Sequence, residues 1–167
     1  LDRLVERAAS KELRQRQHDT FALMEPSVHM PLEAFRQIAD LEQSDYTSVR
    51  TVLGAFAEMA RPRTYLEIGT RRGHSLCMVT NCCPGPVDIY SFDLWIHDYA
   101  GESNPGLELI KRELKKFDFR GEPRFFPGDS RQTIPAFFRQ PTNPQHIDLI
   151  FVDGDHSEDG VTGDIES

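Results

Sequence analysis

The sequence has little of what marks membrane, secreted and disulfide-rich proteins. It contains three cysteines and one tryptophan in 167 residues. No apolar run approaches the roughly 20 residues that a membrane-spanning helix needs. The first residues, LDRLVERAASKELRQRQ, lack the apolar stretch of a secretory signal. We therefore expect a cytoplasmic protein that does not have a membrane as its partner.

Positive charge is also scarce. The chain has 19 Lys and Arg against 27 Asp and Glu, which gives a formal net charge of -8 at pH 7. Binding of nucleic acid needs clustered cations that displace counterions from the phosphates. This balance argues against nucleic acid as the main partner.

The three cysteines are too close together for a disulfide framework. Cys77, Cys82 and Cys83 fall in one segment of helical pattern and form no C-x-x-C pair. Cysteine in a cytoplasmic protein usually behaves as a small hydrophobic residue. The sequence therefore predicts free thiols here, not a metal or redox site.

Hydrophobic residues make up 38% of the chain and include eleven Phe, enough for the core of one domain with or without an appendage. Apolar residues in the first part recur at helical spacing. Three such faces, each predicting one helix, lie in 1–13, 32–39 and 49–60. Thr47 or Ser48 is expected to cap the third helix, and the RPR sequence at 61–63 is expected to end it.

The periodicity changes after residue 60. Four short runs are rich in β-branched or aromatic residues: TYLEIGT, VDIYSFD, PRFFPGD and HIDLIFVDGD. Helical patterns lie between these runs. Such alternation predicts a doubly wound, mostly parallel α/β sheet. We therefore predict an N-terminal helical segment, 1–60, followed by an α/β core, 61–167.

Ligands of such sheets bind where the strands end. The first run ends in EIGTRRG, with Glu67, Gly69, Thr70 and Gly73, and the glycines would allow a tight turn and close approach of a ligand. Asp93 ends the second run, where a carboxylate can accept both hydroxyls of a ribose. The loop lacks the central glycine of the G-x-G-x-x-G motif, so a nucleoside without a pyrophosphate fits better than a dinucleotide.

The fourth run ends in VDGDHS. Asp153 follows the apolar residues LIFV, where a carboxylate is costly to bury without a ligand, a metal or a hydrogen-bond partner. His156 is a candidate general base, since imidazole can accept a proton at neutral pH. Asp153 and Asp155 carry the oxygen ligands that Mg²⁺ prefers. Asp155 and His156 could instead cap the following helix.

Trp95, just after the second run, could stack on an adenine edge or close the core, and both interpretations stay open.

Four segments together resemble a known family: YLEIGTRRGHS, IYSFDLWIHDYAGESNPG, FFPGDSRQTIPAFF and DLIFVDGDHSEDGVTGDIE. They are similar to successive segments of class I S-adenosylmethionine-dependent methyltransferases. They most resemble the branch with a D-G-D-H-S motif, which includes O-methyltransferases of sugars and other natural products. The resemblance implies a Rossmann-like fold, S-adenosyl-L-methionine as cofactor and methyl transfer to a hydroxyl of a small-molecule acceptor.

The resemblance also implies roles for individual residues. The methionine part of the cofactor would be surrounded by Glu67, Gly69, Thr70 and Gly73. Asp93 would hold the ribose hydroxyls, while Asp129 and Ser130 would flank the adenine. Asp153 would lie near the sulfonium methyl group, and in metal-dependent relatives the acid at this position is a ligand of a divalent cation such as Mg²⁺.

The sheet of that family normally continues for three more strands after the fourth. We therefore expect either a longer protein or a truncated domain, with the open sheet edge covered by further chain or by a partner such as a second copy. Two alternatives to the methyltransferase remain. One is an oxidoreductase that uses an NAD-type dinucleotide, and the other is a non-catalytic nucleoside-binding or assembly module.

Overall fold

The computed structural model of the protein describes residues 1–24, 47–96 and 106–166, with the backbone of two short strands between 97 and 104. Contacts divide the chain into two compact units. The first unit is formed by 1–61, 74–85 and 112–119, and the second by 62–73, 86–111 and 120–167. The division into 1–60 and 61–167 stays a prediction.

The first unit contains four complete helices in its described part: α1 (Asp2–Ala8), α2 (Lys11–Leu23), α3 (Val49–Ala60) and α4 (His74–Cys82). The prediction of one helix over 1–13 is wrong. The helix ends at Ala8, and the Ser10 hydroxyl accepts a hydrogen bond from the Leu13 N–H at 3.3 Å, which caps a new helix. The helix predicted in 32–39 lies outside the described residues.

The prediction for α3 is confirmed. The Ser48 hydroxyl accepts from the Thr51 N–H at 3.2 Å, and the helix ends where Arg61 adopts a left-handed φ of 52°. Inside the unit, a Cβ on Gly54 of α3 would come within 2.7 Å of the Met78 side chain, so the two helices are in close contact there. The three cysteines are free thiols, as the sequence predicts.

The second unit contains the predicted parallel sheet. Its strands are β1 (Thr64–Ile68), β2 (Asp88–Asp93), β5 (Pro123–Pro127) and β6 (Leu149–Val152), in the order β5-β2-β1-β6. All three pairings are parallel. Two short strands that the sequence did not predict, β3 (Asp98–Tyr99) and β4 (Glu102–Ser103), form an antiparallel pair. The doubly wound α/β class is therefore confirmed, and the order of the strands reverses between β1 and β6.

Three further helices follow β4, β5 and β6 along the chain: α5 (Leu107–Leu114), α6 (Ser130–Phe138) and α7 (Glu158–Glu166). The central strands β1 and β2 are buried along most of their length, as expected for strands covered on both faces. The core of the unit contains the buried side chains Leu66, Ile68, Tyr90, Phe92, Ile134 and Phe137. The ring of Phe92 stacks on Phe126 at 4.6 Å between centroids. Within the described ranges, no helix is long and apolar enough to span a membrane.

Candidate functional site

The ends of the four strands meet at one edge of the sheet. Three backbone hydrogen bonds extend the ladder beyond the strands: Gly69 N–H to Phe92 O at 2.8 Å, Asp153 N–H to Ile68 O at 2.8 Å, and Gly128 N–H to Asp93 O at 2.9 Å. The row at this carboxyl edge is therefore Gly128, Asp93, Gly69 and Asp153. A ligand of an open parallel sheet binds at such an edge, next to the reversal of strand order.

The two glycines of the first loop allow close contacts within the protein. Gly69 has a φ of +86°, and a Cβ there would overlap the carbonyl oxygen of Asp153 and the Cα of Gly154. Gly73 has a φ of +74°, and its Cβ would lie 3.3 Å from the Ile110 side chain. The loop after β1 therefore packs directly against the end of β6. No local sequence signal indicates this contact.

Glu67 and Thr70 point their side chains into the protein. Glu67 has 0% of its surface exposed, and its carboxylate accepts a hydrogen bond from the Tyr65 hydroxyl at 2.5 Å. The buried hydroxyl of Thr70 shares a hydrogen bond of 2.6 Å with the hydroxyl of Ser91. Their role around a cofactor stays a prediction.

Asp93 is the best-positioned carboxylate of the edge. Its Oδ2 accepts from the Arg71 N–H at 2.6 Å, and its Oδ1 accepts from the Trp95 N–H at 2.7 Å. A carboxylate has about four lone-pair sites, and contacts among the described residues occupy two of them. The loops on both sides thus hold this half-buried carboxylate in one place at the end of β2.

Trp95 packs back toward the sheet. Its φ is +43°, its ring contacts Phe125 edge-on at 5.9 Å between centroids, and its buried Nε1 has no hydrogen-bond partner in the part of the chain that is described. Stacking of Trp95 on an adenine edge stays a prediction. Sequence reasoning did not single out Leu94, which is 54% exposed directly after Asp93. An apolar residue next to the acid that ends β2 was the signal available.

Asp129 and Ser130 lie where β5 passes into α6. The Asp129 carboxylate caps α6 by accepting from the Arg131 N–H at 3.0 Å, and it also pairs with the Arg131 Nε at 3.1 Å. This contact with the guanidinium lowers the pKa of Asp129 below its ordinary value. The Ser130 hydroxyl donates a hydrogen bond to the carboxylate of Asp164. Sequence reasoning missed Asp164, which carries no local signal.

Asp153 and His156 form an exposed pair at the end of β6. The His156 Nε2 lies 3.3 Å from the Asp153 Oδ1, and the two side chains are 79% and 46% exposed. Asp155 instead accepts from the N–H and hydroxyl of Ser157, both at 2.9 Å, and the backbone N–H lowers its pKa. The Ser157 hydroxyl accepts from the Gly160 N–H in the first turn of α7. Asp155 therefore supports the start of the helix, whereas His156 contacts Asp153.

The predicted cation site has few ligands. Among the described residues, no three His, Cys, Asp or Glu side chains come together in an arrangement that could hold a metal ion. Asp153 and His156 supply two donors, whereas Mg²⁺ requires near-octahedral coordination. Mg²⁺ at Asp153 stays a prediction of the sequence.

Comparison with known proteins adds the family. A search of curated proteins found no significant match. A family model described as a methyltransferase domain matches residues 66–167, more than half of the chain. The matched part contains β1 from Leu66 onward, all of β2, β5 and β6, and every residue of the carboxyl edge described above, and it gives no support to an oxidoreductase. The chain therefore belongs to this methyltransferase-domain family, and the protein is a methyltransferase.

Proposed function

We propose that this methyltransferase takes its methyl group from S-adenosyl-L-methionine, bound along the carboxyl edge of β5, β2, β1 and β6. The observation that carries the proposal is the Asp93 carboxylate, held at the end of β2 by two backbone N–H groups, with further lone pairs that no other described residue occupies. An acid in this position suits the two neighbouring hydroxyls of a ribose. The cofactor supplies a methyl group on positively charged sulfur.

The charge of the edge suits such a ligand. Asp93, Asp129 and Asp153 each follow or end a strand of the sheet, so carboxylates stand at the ends of three of its four strands. Opposite charges attract more strongly near a protein surface than in bulk water. In the proposed arrangement Asp93 binds the ribose, Asp129 and Ser130 flank the adenine, and the loop from Glu67 to Gly73 surrounds the methionine part.

We further propose a hydroxyl oxygen of a small molecule as the methyl acceptor. Methyl transfer is an in-line displacement, so the oxygen must be held close to the methyl carbon. A hydroxyl is a weak nucleophile until a base removes its proton. Since the His156 Nε2 faces Asp153, the tautomer with its proton on Nε2 donates to that carboxylate, and Nδ1 can take the proton. The O–C bond forms as the C–S bond breaks, and the proton moves to His156.

Calorimetric titration with S-adenosylhomocysteine tests the cofactor. We expect binding by the wild type, and Asp93→Asn should weaken it by roughly tenfold or more, because a hydrogen bond to a charged group contributes about 1.5–3 kcal/mol. Asp88→Asn is the matched control: Asp88 begins the same strand, and its carboxylate accepts only from the Glu122 N–H among the hydrogen bonds observed.

Two results would count against the cofactor assignment. Absence of binding by the wild type at millimolar ligand would refute it, and equal effects of the two variants would remove Asp93 from the site. A parallel titration with NAD should give no heat of binding. Melting curves of both variants establish that each remains folded.

A panel of small hydroxyl compounds, assayed by release of S-adenosylhomocysteine, tests the acceptor. With an accepted compound, His156→Ala should lower kcat by roughly 10²–10⁴ and leave the affinity for S-adenosylhomocysteine unchanged. His146→Ala, which removes another exposed imidazole of the same unit, should have no effect. Full activity of His156→Ala would exclude His156 as the base.

A further inference from the structure

Asp164 is a buried carboxylate that the proposed chemistry does not use. It lies on α7 and is 8% exposed, whereas the other acids of that helix, Glu158, Asp159 and Glu166, are exposed. Burial of a charged group is unfavourable unless it is hydrogen-bonded or paired. The contacts of Asp164 therefore indicate why this one acid of the helix is turned inward.

Each oxygen of the Asp164 carboxylate faces a different loop of the carboxyl edge. Oδ1 accepts the hydrogen bond from Ser130, the first residue of α6 after β5. Oδ2 occupies the space that a Cβ on Gly154 would fill, directly after Asp153 and β6. On its other side the same Cβ would lie 3.3 Å from Ile68 at the end of β1. Asp164 is thus wedged between the end of β5 and the turn after β6.

Arg131 adds a positive charge beside this contact. Its side chain lies across Gly163, where a Cβ would come within 2.8 Å of the Arg131 Cδ. Its guanidinium pairs with Asp129, and the nearby charges of Asp164 and Asp155 add to the rise of its pKa. Arg131 thus places a cation beside the Asp164 carboxylate, which accepts the hydrogen bond from Ser130.

We propose that Asp164 is a positioning residue, which couples the loop at Ser130 to the turn at Gly154. The inference rests on the proposed function, which assigns the loop at Ser130 to the adenine and the turn at Gly154, beside Asp153 and His156, to the acceptor. Through this carboxylate the loop at Ser130 and the turn at Gly154 are held at a fixed distance from each other, although β5 and β6 are at opposite ends of the strand order.

Hydrogen–deuterium exchange of the full chain tests the coupling without any ligand. Ser130→Ala removes the hydroxyl that Asp164 accepts from, and we expect exchange in the turn from Gly154 to Ser157 to become roughly 3- to 10-fold faster. Thr133→Val is the matched control, because it removes a hydroxyl of the same helix that bonds only to the Asp129 carbonyl in the structure. Equal exchange in the two variants would overturn the coupling.

Titration with S-adenosylhomocysteine tests the consequence for the site. Asp164→Ala should weaken binding by roughly 3- to 30-fold, while Asp164→Asn, whose amide oxygen can still accept from Ser130, should recover part of the loss. A merely structural role predicts lower stability with unchanged affinity of the folded protein, and that result would overturn the assignment. Where Asp164→Ala fails to fold, the affinity of Asp164→Asn decides, and an affinity equal to that of the wild type would overturn the assignment.

The exchange and titration experiments distinguish failure of this inference from failure of the proposed function. A wild type that does not bind S-adenosylhomocysteine refutes the cofactor, and the exchange difference between Ser130→Ala and Thr133→Val then supports or overturns the coupling by itself. A wild type that binds, with variants that neither exchange faster nor bind more weakly, refutes only the role of Asp164.

Discussion

Replacement of Gly69 by alanine should force apart the ends of β1 and β6. The first cost is conformational, since the φ of +86° is unfavourable for an L-residue by about 1–2 kcal/mol. The second is steric, because the new Cβ would overlap the Asp153 carbonyl oxygen and the Gly154 Cα. Relief of that overlap lengthens the hydrogen bond from Asp153 N–H to Ile68 O, at a further cost of about 1 kcal/mol or more. We expect a total loss of roughly 2–4 kcal/mol in the free energy of unfolding.

Substitutions at two other glycines separate the conformational cost from the steric cost. Gly106 also has a positive φ, +75°, but a Cβ there meets no atom of the described residues within 4 Å, so Gly106→Ala should show mainly the conformational cost of about 1–2 kcal/mol. A Cβ on Gly85 likewise meets no described atom within 4 Å, and its φ lies outside the left-handed range, so Gly85→Ala should be neutral or slightly stabilising.

Urea unfolding at pH 7, followed by circular dichroism, measures the three variants on one scale. The reasoning requires the loss to rise in the order Gly85→Ala, Gly106→Ala, Gly69→Ala. If Gly69→Ala loses no more than Gly106→Ala, the close approach between the loop after β1 and the end of β6 is refuted. If Gly106→Ala is as neutral as Gly85→Ala, the conformational cost has been overestimated.

Three further predictions concern single groups. Ser48→Ala removes the cap of α3 and should lower the free energy of unfolding by about 1 kcal/mol, while Ser48→Asp should keep most of it. Burial raises the pKa of Cys82 to about 11, so iodoacetamide at pH 8 should modify it more slowly than the half-buried Cys83, and urea should abolish the difference. The Arg63 N–H and then that of Thr64 hold the pKa of Asp148 below its ordinary value of 3.8. A lowered pKa stabilises the fold above the unfolded pKa, so the advantage of the wild type over Asp148→Asn should be full at pH 7 and shrink below pH 3.8. A difference that does not depend on pH would contradict this.

Local sequence patterns predicted many of the helices and strands, because the interactions that begin and end these elements involve residues close together in the chain. The apolar spacing in 49–60, the serine before it and the proline after it predict α3, and the structure places its start and end accordingly. The prediction of a single helix over 1–13 failed because two local signals compete there. The apolar face across 1–13 continues past Ser10, but the hydroxyl there satisfies a backbone N–H and begins a second helix.

By itself the sequence determined the parallel α/β class and the carboxyl-edge positions of Asp93 and Asp153. Apolar runs, their lengths and the polar residues that end them are properties of neighbouring residues along the chain. Only the tertiary structure decided what these residues contact. Glu67 meets Tyr65, Gly69 meets Asp153, and Ser130 meets Asp164. Two of these contacts join residues far apart in sequence and depend on strand register and helix packing, whereas Glu67 and Tyr65 lie two residues apart on one face of β1. The site is therefore predictable as a set of strand ends, and its geometry follows from long-range contacts that no local pattern encodes.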